Sequence, residues 1–443
     1  METVRLGAGA GYSGDRIDPA VELARLGKLD YLVFECLAER TIAIAQQNKR
    51  TGVSEGYDPL LVERMRAVLP HCVANGVKIV SNMGAANPIA AAIKTKEIAR
   101  KLRLPGLRIA AISGDDILEH MPGNYRFLES GDPVKVVEDR LVSANAYLGA
   151  GPIVEALHEG ADIVLTGRAA DPSLFLAPLI HGFKWDTSDW RLLGQGTVIG
   201  HLLECAGQLT GGYFADPGYK DVPDLAHLGF PFAEVSADGS ALFSKVEGSG
   251  GCLTRGTCVE QLLYEIQDPS SYITPDVIAD FSNVQIEELG RDLVRVTGGA
   301  GKPKTDELKV SVGYHDGFVG EGQISYAGPG ALERAELAQE VLTERLRSYR
   351  LDELRFDLIG VNAIHGQKLS PVASRPYEIR LRAAGRANAR ETVAMIPREM
   401  EALYTNGPAG GGGVSISIRE TIAILSTLIP SELPKPTIHF EES

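Results

Sequence analysis

Over the first third of the chain, short apolar runs alternate with stretches of helical spacing. Val4 to Leu6, Tyr31 to Phe34, Val77 to Val80, Leu107 to Ile112 and Asp162 to Leu165 are β-rich and bounded by turn residues, which predicts strands. Between them the periodicity predicts helices from Asp18-Pro19 to Gly27, Ala38 to Asn48, Asp58-Pro59 to about Val73, and Pro88 to Leu102. Past a loop with Pro122, Gly123 and Pro133, helical spacing returns at Val136 to Tyr147 and Ile153 to Glu159. Such alternation predicts an α/β fold, an N-terminal parallel sheet flanked by helices. An open doubly wound sheet is the leading form and a closed barrel the alternative.

Residues 188 to 220 read as helix and then loop, and beyond Pro223 the texture changes. Ala233 to Val235 and Ala241 to Lys245 flank the hairpin signal Ala237-Asp238-Gly239. Further β-rich runs lie at Val284 to Glu288, Leu293 to Thr297, Leu308 to Tyr314, Phe318 to Tyr326, Asp357 to Asn362 and Tyr377 to Ala383. Helices are predicted near Arg255 to Ile266, Leu332 to Tyr349 and Asn388 to Glu401, with a closing helix from Ile418 to Leu428. This patterning sets a boundary near 225, between an α/β domain (1–225) and a C-terminal α+β domain (226–443), with a separate subdomain considered from about 350.

Each early strand ends in small or polar residues just before a helix. Ligands of open parallel sheets, and of barrels, collect at the carboxyl ends of strands, where helix N-termini offer unpaired N–H groups. Those ends supply the candidate binding residues Gly9, Gly11, Tyr12, Ser13 and Gly14, then Asn82 and Gly84, Gly114, and Thr166, Gly167 and Arg168. They also supply four candidate catalytic carboxyls, Glu35, Asp115, Asp116 and Asp171. The run Gly248 to Thr257 adds Gly250, Gly251, Thr254 and Arg255 as an anion-binding candidate ahead of a helix. A second glycine run, Gly410 to Gly413, precedes the expected closing helix.

Gly9, Gly11 and Gly14 match G-x-G-x-x-G, and Glu35 ends the next strand where a ribose-binding acid is expected. The helix start at Asp18-Pro19 falls several residues after Gly14, which weakens a dinucleotide reading. Each candidate also has a structural explanation: tight turns for the glycines, helix starts for Asp115-Asp116 and Asp171-Pro172, and an ion pair for Arg168 with Asp171. His201 and Cys205 stand one helical turn apart without a third metal ligand. Gly52-Val53-Ser54-Glu55-Gly56 fits G-x-S-x-G by letter but lacks the preceding strand of a nucleophile elbow, and reads as a loop.

Composition narrows the class. A 443-residue chain with 44% hydrophobic and 23% charged residues matches a globular protein, and a formal charge of -14 without Lys/Arg clusters argues against nucleic-acid binding. No membrane span or signal segment is read, so a cytoplasmic location is expected. Five cysteines without short ladder spacing predict free thiols rather than disulfides or a structural zinc site. No metal is assigned, and the cofactor is left unknown.

Gly11-Tyr12-Ser13-Gly14-Asp15-Arg16, Asp30-Tyr31-Leu32-Val33-Phe34-Glu35-Cys36-Leu37-Ala38-Glu39-Arg40-Thr41 and Leu165-Thr166-Gly167-Arg168-Ala169-Ala170-Asp171-Pro172 together resemble the acyclic terpene utilisation (AtuA) family. The resemblance implies an intracellular protein associated with breakdown of branched or terpenoid acids as coenzyme A thioesters. It brings no established mechanism and no proven catalytic residues. The expectation is an enzyme acting on an acyl-CoA or related carboxylate by hydration, dehydration or carbon–carbon lysis. Glu35 with Asp115 or Asp116 would transfer protons, and Arg168 or Arg255 would hold an anion. Rival expectations are an NAD(P)-dependent oxidoreductase and a non-catalytic subunit of a catabolic complex. The partner expected is the small-molecule substrate, with no nucleic acid or membrane, and self-association into a homo-oligomer is a further expectation.

Overall fold

In the computed structural model, which describes residues 2–121, 123–370 and 376–443, the chain opens with β1 (Thr3–Ala10), α1 (Asp18–Leu26), β2 (Tyr31–Phe34), α2 (Glu39–Thr51), α3 (Leu61–Asn75), β3 (Lys78–Ser81), α4 (Pro88–Lys101) and β4 (Arg108–Ser113). It continues through β5 (Leu141–Ala146), α5 (Gly151–His158), β6 (Ile163–Thr166), α6 (Ser173–Phe183), α7 (Trp190–Glu204), β7 (Pro231–Ser236), β8 (Ala241–Lys245) and α8 (Arg255–Leu263). Pro122, read from sequence as part of a loop, lies outside the described residues.

Local chemistry sets the boundaries. Pro19 opens α1, and the Gly27 N–H closes it on the Leu23 carbonyl. Gly52 and Gly76 end α2 and α3 in the left-handed region, with φ of 71° and 69°. The Asn87 side chain caps α4 by accepting from the Ala90 N–H.

β1, β2, β3, β6 and β4 lie side by side in that order, all parallel. Every residue of β2 and β6 is buried, as strands covered on both faces require. α1, α3 and α4 pack as one layer, and α5, α6 and α7 pack as another. β6 inserts between β3 and β4, so the chain reverses its direction across the sheet there. That switch places the natural ligand crevice outside the ends of β3 and β6.

Antiparallel strands extend this core. β7, β8, Leu293–Thr297 and Gln285–Gly290 continue outward from β1, and Thr437–Glu442 pairs with β4. The ten-stranded sheet has two free ends, so it is open and not a barrel. α7 is buried from Leu193 to Glu204 and packs against α6 and the short strands Ala300–Lys302 and Ile278–Asp280.

The chain divides into two compact units, Met1–Gly313 with Ile424–Ser443, and Tyr314–Ala423. This differs from the boundary expected near 225, because Phe232–Ser236 of β7 pairs directly with Thr3–Gly7 of β1. The textural change near 225 marks a switch from parallel to antiparallel pairing within one sheet. The second unit, too, begins well before the subdomain considered from about 350. Within it, Glu378–Ala387 pairs antiparallel with Glu353–Ile359 and with Phe318–Ala327. Helices Ala331–Leu346 and Met395–Asn406 contribute Leu342 and Met400 to a core with Ile324 and Leu381.

Three sequence expectations are corrected. The helix expected over Val136 to Tyr147 is a 3-10 segment (Val134–Arg140) followed by β5. The two runs at 308–314 and 318–326 form one strand, Glu307–Ala327. The closing helix from Ile418 is instead the strand Gly412–Pro430, so Gly410 to Gly413 precedes no helix.

Candidate functional site

The carboxyl ends of β2, β3, β4 and β6 converge on a connected group of buried polar side chains. Glu35, just after β2, accepts from Asn82 Nδ2 at 2.9 Å and from the Leu37 N–H at 2.8 Å. Asn82, just after β3, returns its Oδ1 to the Cys36 N–H at 2.7 Å. Asp115, beyond β4, accepts from the Arg168 N–H and from Asn145 Nδ2, both at 2.8 Å.

Arg168 stands at the centre, only 2% exposed. Its guanidinium donates to the Leu37 carbonyl, lies 3.1 Å from Asp171 Oδ1 and stacks 4.1 Å from the Tyr147 ring centroid. Tyr147 donates its hydroxyl to Glu39, which also meets Lys309 Nζ at 3.2 Å. The buried end of the group is thus Glu35, Asn82 and Asp115. Asp171, Glu39 and Lys309 form its solvent side, each with about a third or more of its side chain exposed.

This arrangement drives its carboxyls apart. Burial, reinforced by the Asp171 charge, pushes Glu35 up to about 8 against the pull of Arg168, Leu37 and Asn82. Burial would also raise Glu39, yet Arg168, the Tyr147 hydroxyl and Lys309 bring it down to about 2. Asp115 is raised by burial to about 6 despite its two donors. Burial works against the Arg168 charge, but Asp171, Tyr147, Glu39 and Glu35 overcome it and hold the guanidinium protonated. Asp171 rises with burial and is pulled back by Arg168.

Glycines enter this site as packing devices. A Cβ on Gly167 would lie 2.2 Å from Asp115 Oδ1, and one on Gly84 would lie 2.5 Å from the Thr166 carbonyl. Gly114 has a φ of 104° and sits against the Lys435 carbonyl. Thr166 is buried and donates to the Gly167 carbonyl at 2.8 Å. Gly167→Ala is therefore expected to dislodge Asp115 from the Arg168 N–H and lower stability by about 1–3 kcal/mol, measurable by denaturant unfolding.

The turn after β1 joins the cluster differently from the sequence expectation. The Gly11 N–H is taken by Asp15 Oδ2 at 2.9 Å, and the carbonyls of Tyr12, Ser13 and Asp15 all accept from buried Arg64. Ser13 donates to Asp58 at 2.6 Å, while the Tyr12 ring is exposed. Gly9 and Gly11 let Phe34 and the Cys205 backbone approach, where a Cβ would stand 2.6 Å from each. Gly14 accommodates the Tyr12 ring in the same way.

Asp116 accepts from Gln46 Nε2 at 3.0 Å and caps the Leu118 N–H, which leaves it beside the cluster rather than in it. The 248–257 run lies on other elements altogether. Gly250 and Gly251 line a separate cavity with Lys245 and Asp292. Thr254 caps α8 through a capping box with Thr257, and Arg255 is exposed at the first turn of that helix. Arg255 is thus not brought near Glu35, and Arg168 alone of the two proposed anion holders joins the strand-end group.

Sequence reasoning missed Glu39, Asn145, Tyr147, Lys309 and Arg64. The spacing of His201 and Cys205 gave no sign of the partner His201 takes, Glu204. His201 Nδ1 meets Glu204 Oε1 at 2.7 Å, and the ring packs against Tyr272 and Phe281. Close contact of Gly200 with Pro172 and of Cys205 with Gly11 fixes this part of α7 against the strand ends. Burial raises Glu204 to about 7 against the pull of His201, and burial of His201 is outweighed by the Glu204 charge, which raises it. The five cysteines are free. Among the described residues, no group of three or more His, Cys, Asp or Glu side chains is arranged to hold a metal ion, and no helix is long and apolar enough to cross a membrane.

The family model for acyclic terpene utilisation family protein AtuA matches residues 4–440. No match was found among curated proteins or among solved structures. The match spans both compact units and every strand end described above, and the chain belongs to the acyclic terpene utilisation (AtuA) family.

Proposed function

We propose that the protein is an enzyme of branched or terpenoid acid breakdown that acts on an acyl-CoA or related carboxylate by hydration, dehydration or lysis, with proton transfer at the strand-end cluster. The observation that carries this reading is geometric: a buried Glu35 carboxyl held by Asn82 and the Leu37 N–H, and a partly exposed Asp171 paired with the buried Arg168 guanidinium that Leu37 also binds. Acid and base roles are assigned where neighbouring environments push titratable groups apart. Glu35, protonated at neutral pH, is the proton donor. Asp171, paired with Arg168 and partly open to solvent, is the acceptor.

For a dehydration, Asp171 takes the proton α to the acyl carbonyl and its electron pair forms the new double bond. The departing hydroxide leaves as water with the Glu35 proton. Hydration runs the same steps in reverse. Arg168 orients the acyl or carboxylate oxygen, and Asp115 and Asn145 position Arg168 through its backbone N–H.

The nicotinamide reading is disfavoured by the turn after β1, whose Gly11 N–H is already engaged by Asp15. Glu35 is also a poor ribose acceptor while it is buried and neutral. A melting-temperature screen with acyl-CoAs, free carboxylates and dinucleotides tests the reading, because a ligand of the folded state raises the midpoint. Acyl-CoAs or carboxylates are expected to raise it by several degrees. A shift with NADH alone supports the oxidoreductase, and no shift with any of the three supports the non-catalytic subunit.

A further inference from the structure

A cavity of about 300 Å³ lies next to the cluster, walled chiefly by Leu37, Thr41, Ile44, Ala45, Tyr57 and Ala85. Of its polar lining residues, Ser13 and Asp58 are bonded to each other and Asp58 also pairs with Arg64, while Thr41 and Asn48 add one hydroxyl and one amide, and the apolar lining exceeds the polar. Ser54 and Glu55 are exposed and form its rim. The space therefore presents mostly carbon.

The cavity is pre-formed. The Gly56 carbonyl accepts from the Ala86 N–H at 2.8 Å, Lys49 Nζ reaches the Ala86 carbonyl at 2.7 Å, and the Asp58 N–H reaches the Met83 carbonyl at 2.9 Å. These ties hold the 52–59 loop open over α2. Ala85, in the left-handed region at φ 46°, lines the cavity and donates its N–H to the Asn82 carbonyl at 3.1 Å. Such strain in a non-glycine residue is retained where surrounding structure enforces it.

Leu37 belongs to both places. Its N–H donates to Glu35 and its carbonyl accepts from Arg168, while the residue also lines the cavity. We infer that the cavity holds the apolar chain of the substrate whose head group meets the strand-end cluster, a straight or methyl-branched hydrocarbon of at most about ten carbons. The length follows from the volume, at roughly 30 Å³ for each water-sized group. The inference rests on the preceding reading for the head group, and on the cavity alone for the tail.

Calorimetric binding of two probe series separates the two: linear carboxylates from butanoate to tetradecanoate, and primary alcohols of the same lengths. In the unmodified protein, affinity is expected to rise up to about fourfold per added methylene and to stop rising near ten carbons. Ala45→Phe and Ile44→Trp, which fill the space from two positions, are expected to flatten that dependence while butanoate affinity changes less than twofold. A length dependence among alcohols, without preference for carboxylates, keeps the tail site and removes the head-group reading. Equal affinity for butanoate and decanoate overturns the tail site and leaves the head-group reading standing. A length dependence that survives in whichever filled variant folds also overturns it.

Discussion

Glu35→Gln is expected to lower turnover by about 10²- to 10⁴-fold, the usual range for loss of a positioned proton donor. The amide can still accept from Asn82 Nδ2 and the Leu37 N–H, so the hydrogen bonds that fix the side chain survive. It cannot release a proton. The same substitution is expected to stabilise the fold in alkaline solution. A carboxyl raised to about 8 in the native state destabilises that state increasingly as pH climbs from its unfolded value near 4.5. The amide removes this penalty. The variant should therefore match the parent near pH 4 and exceed it by about 1–3 kcal/mol above pH 8, read from denaturant midpoints across pH. Lower activity with higher stability is the pattern of a site strained for function. Unchanged turnover would remove Glu35 from the mechanism.

Arg168→Met carries the second large effect, on stability. The guanidinium neutralises Asp171 and Glu39 inside the cluster, and its removal leaves them without their main counter-charge. Breaking a buried pair from one side costs about 3–5 kcal/mol, although the partial exposure of both acids moderates this. The loss should be smaller at pH 5 than at pH 8, because Glu39 is released from its value of about 2 and both acids take up protons as pH falls. Arg168→Lys should restore part of the stability and little of any activity. An ammonium cannot serve Leu37 and Asp171 at once while lying flat on Tyr147. Equal losses at pH 5 and pH 8 would show that packing, not charge, explains the role of Arg168.

How much of this was legible beforehand depends on the range of each contact. The strand-end rule singled out Glu35, Asn82, Asp115 and Arg168, which the fold brings together, since a period of apolar runs followed by small polar residues is a local signal. It gave no access to Lys309, which reaches Glu39 across 270 residues. Asn145 and Tyr147 were hidden because Val136, Val137, Ala144 and Tyr147 mimic helical spacing, whereas the segment pairs at long range, with the Tyr147 N–H bonded to the Lys309 carbonyl. Ile418, Thr421, Ile422 and Leu425 likewise fit i, i+3, i+4 and i+7. The β-branched Ile416, Ile418, Thr421, Ile422 and Ile424 were the stronger signal, and the strand Gly412–Pro430 follows it. The glycine motif at residues 9–14 was visible by letter, but its purpose was not. Arg64 and Cys205, distant in sequence, account for its geometry better than a ligand does.

The most direct test of the central claim is a carbon-13 titration of glutamate carboxyls, with Glu35→Gln used to assign the resonance. The account predicts a carboxyl that stays protonated through neutrality, titrates near pH 8 and disappears in the variant. If the resonance that disappears in Glu35→Gln titrates below pH 6 in the parent, Glu35 is ionised at working pH and the proton donor assigned to this site does not exist.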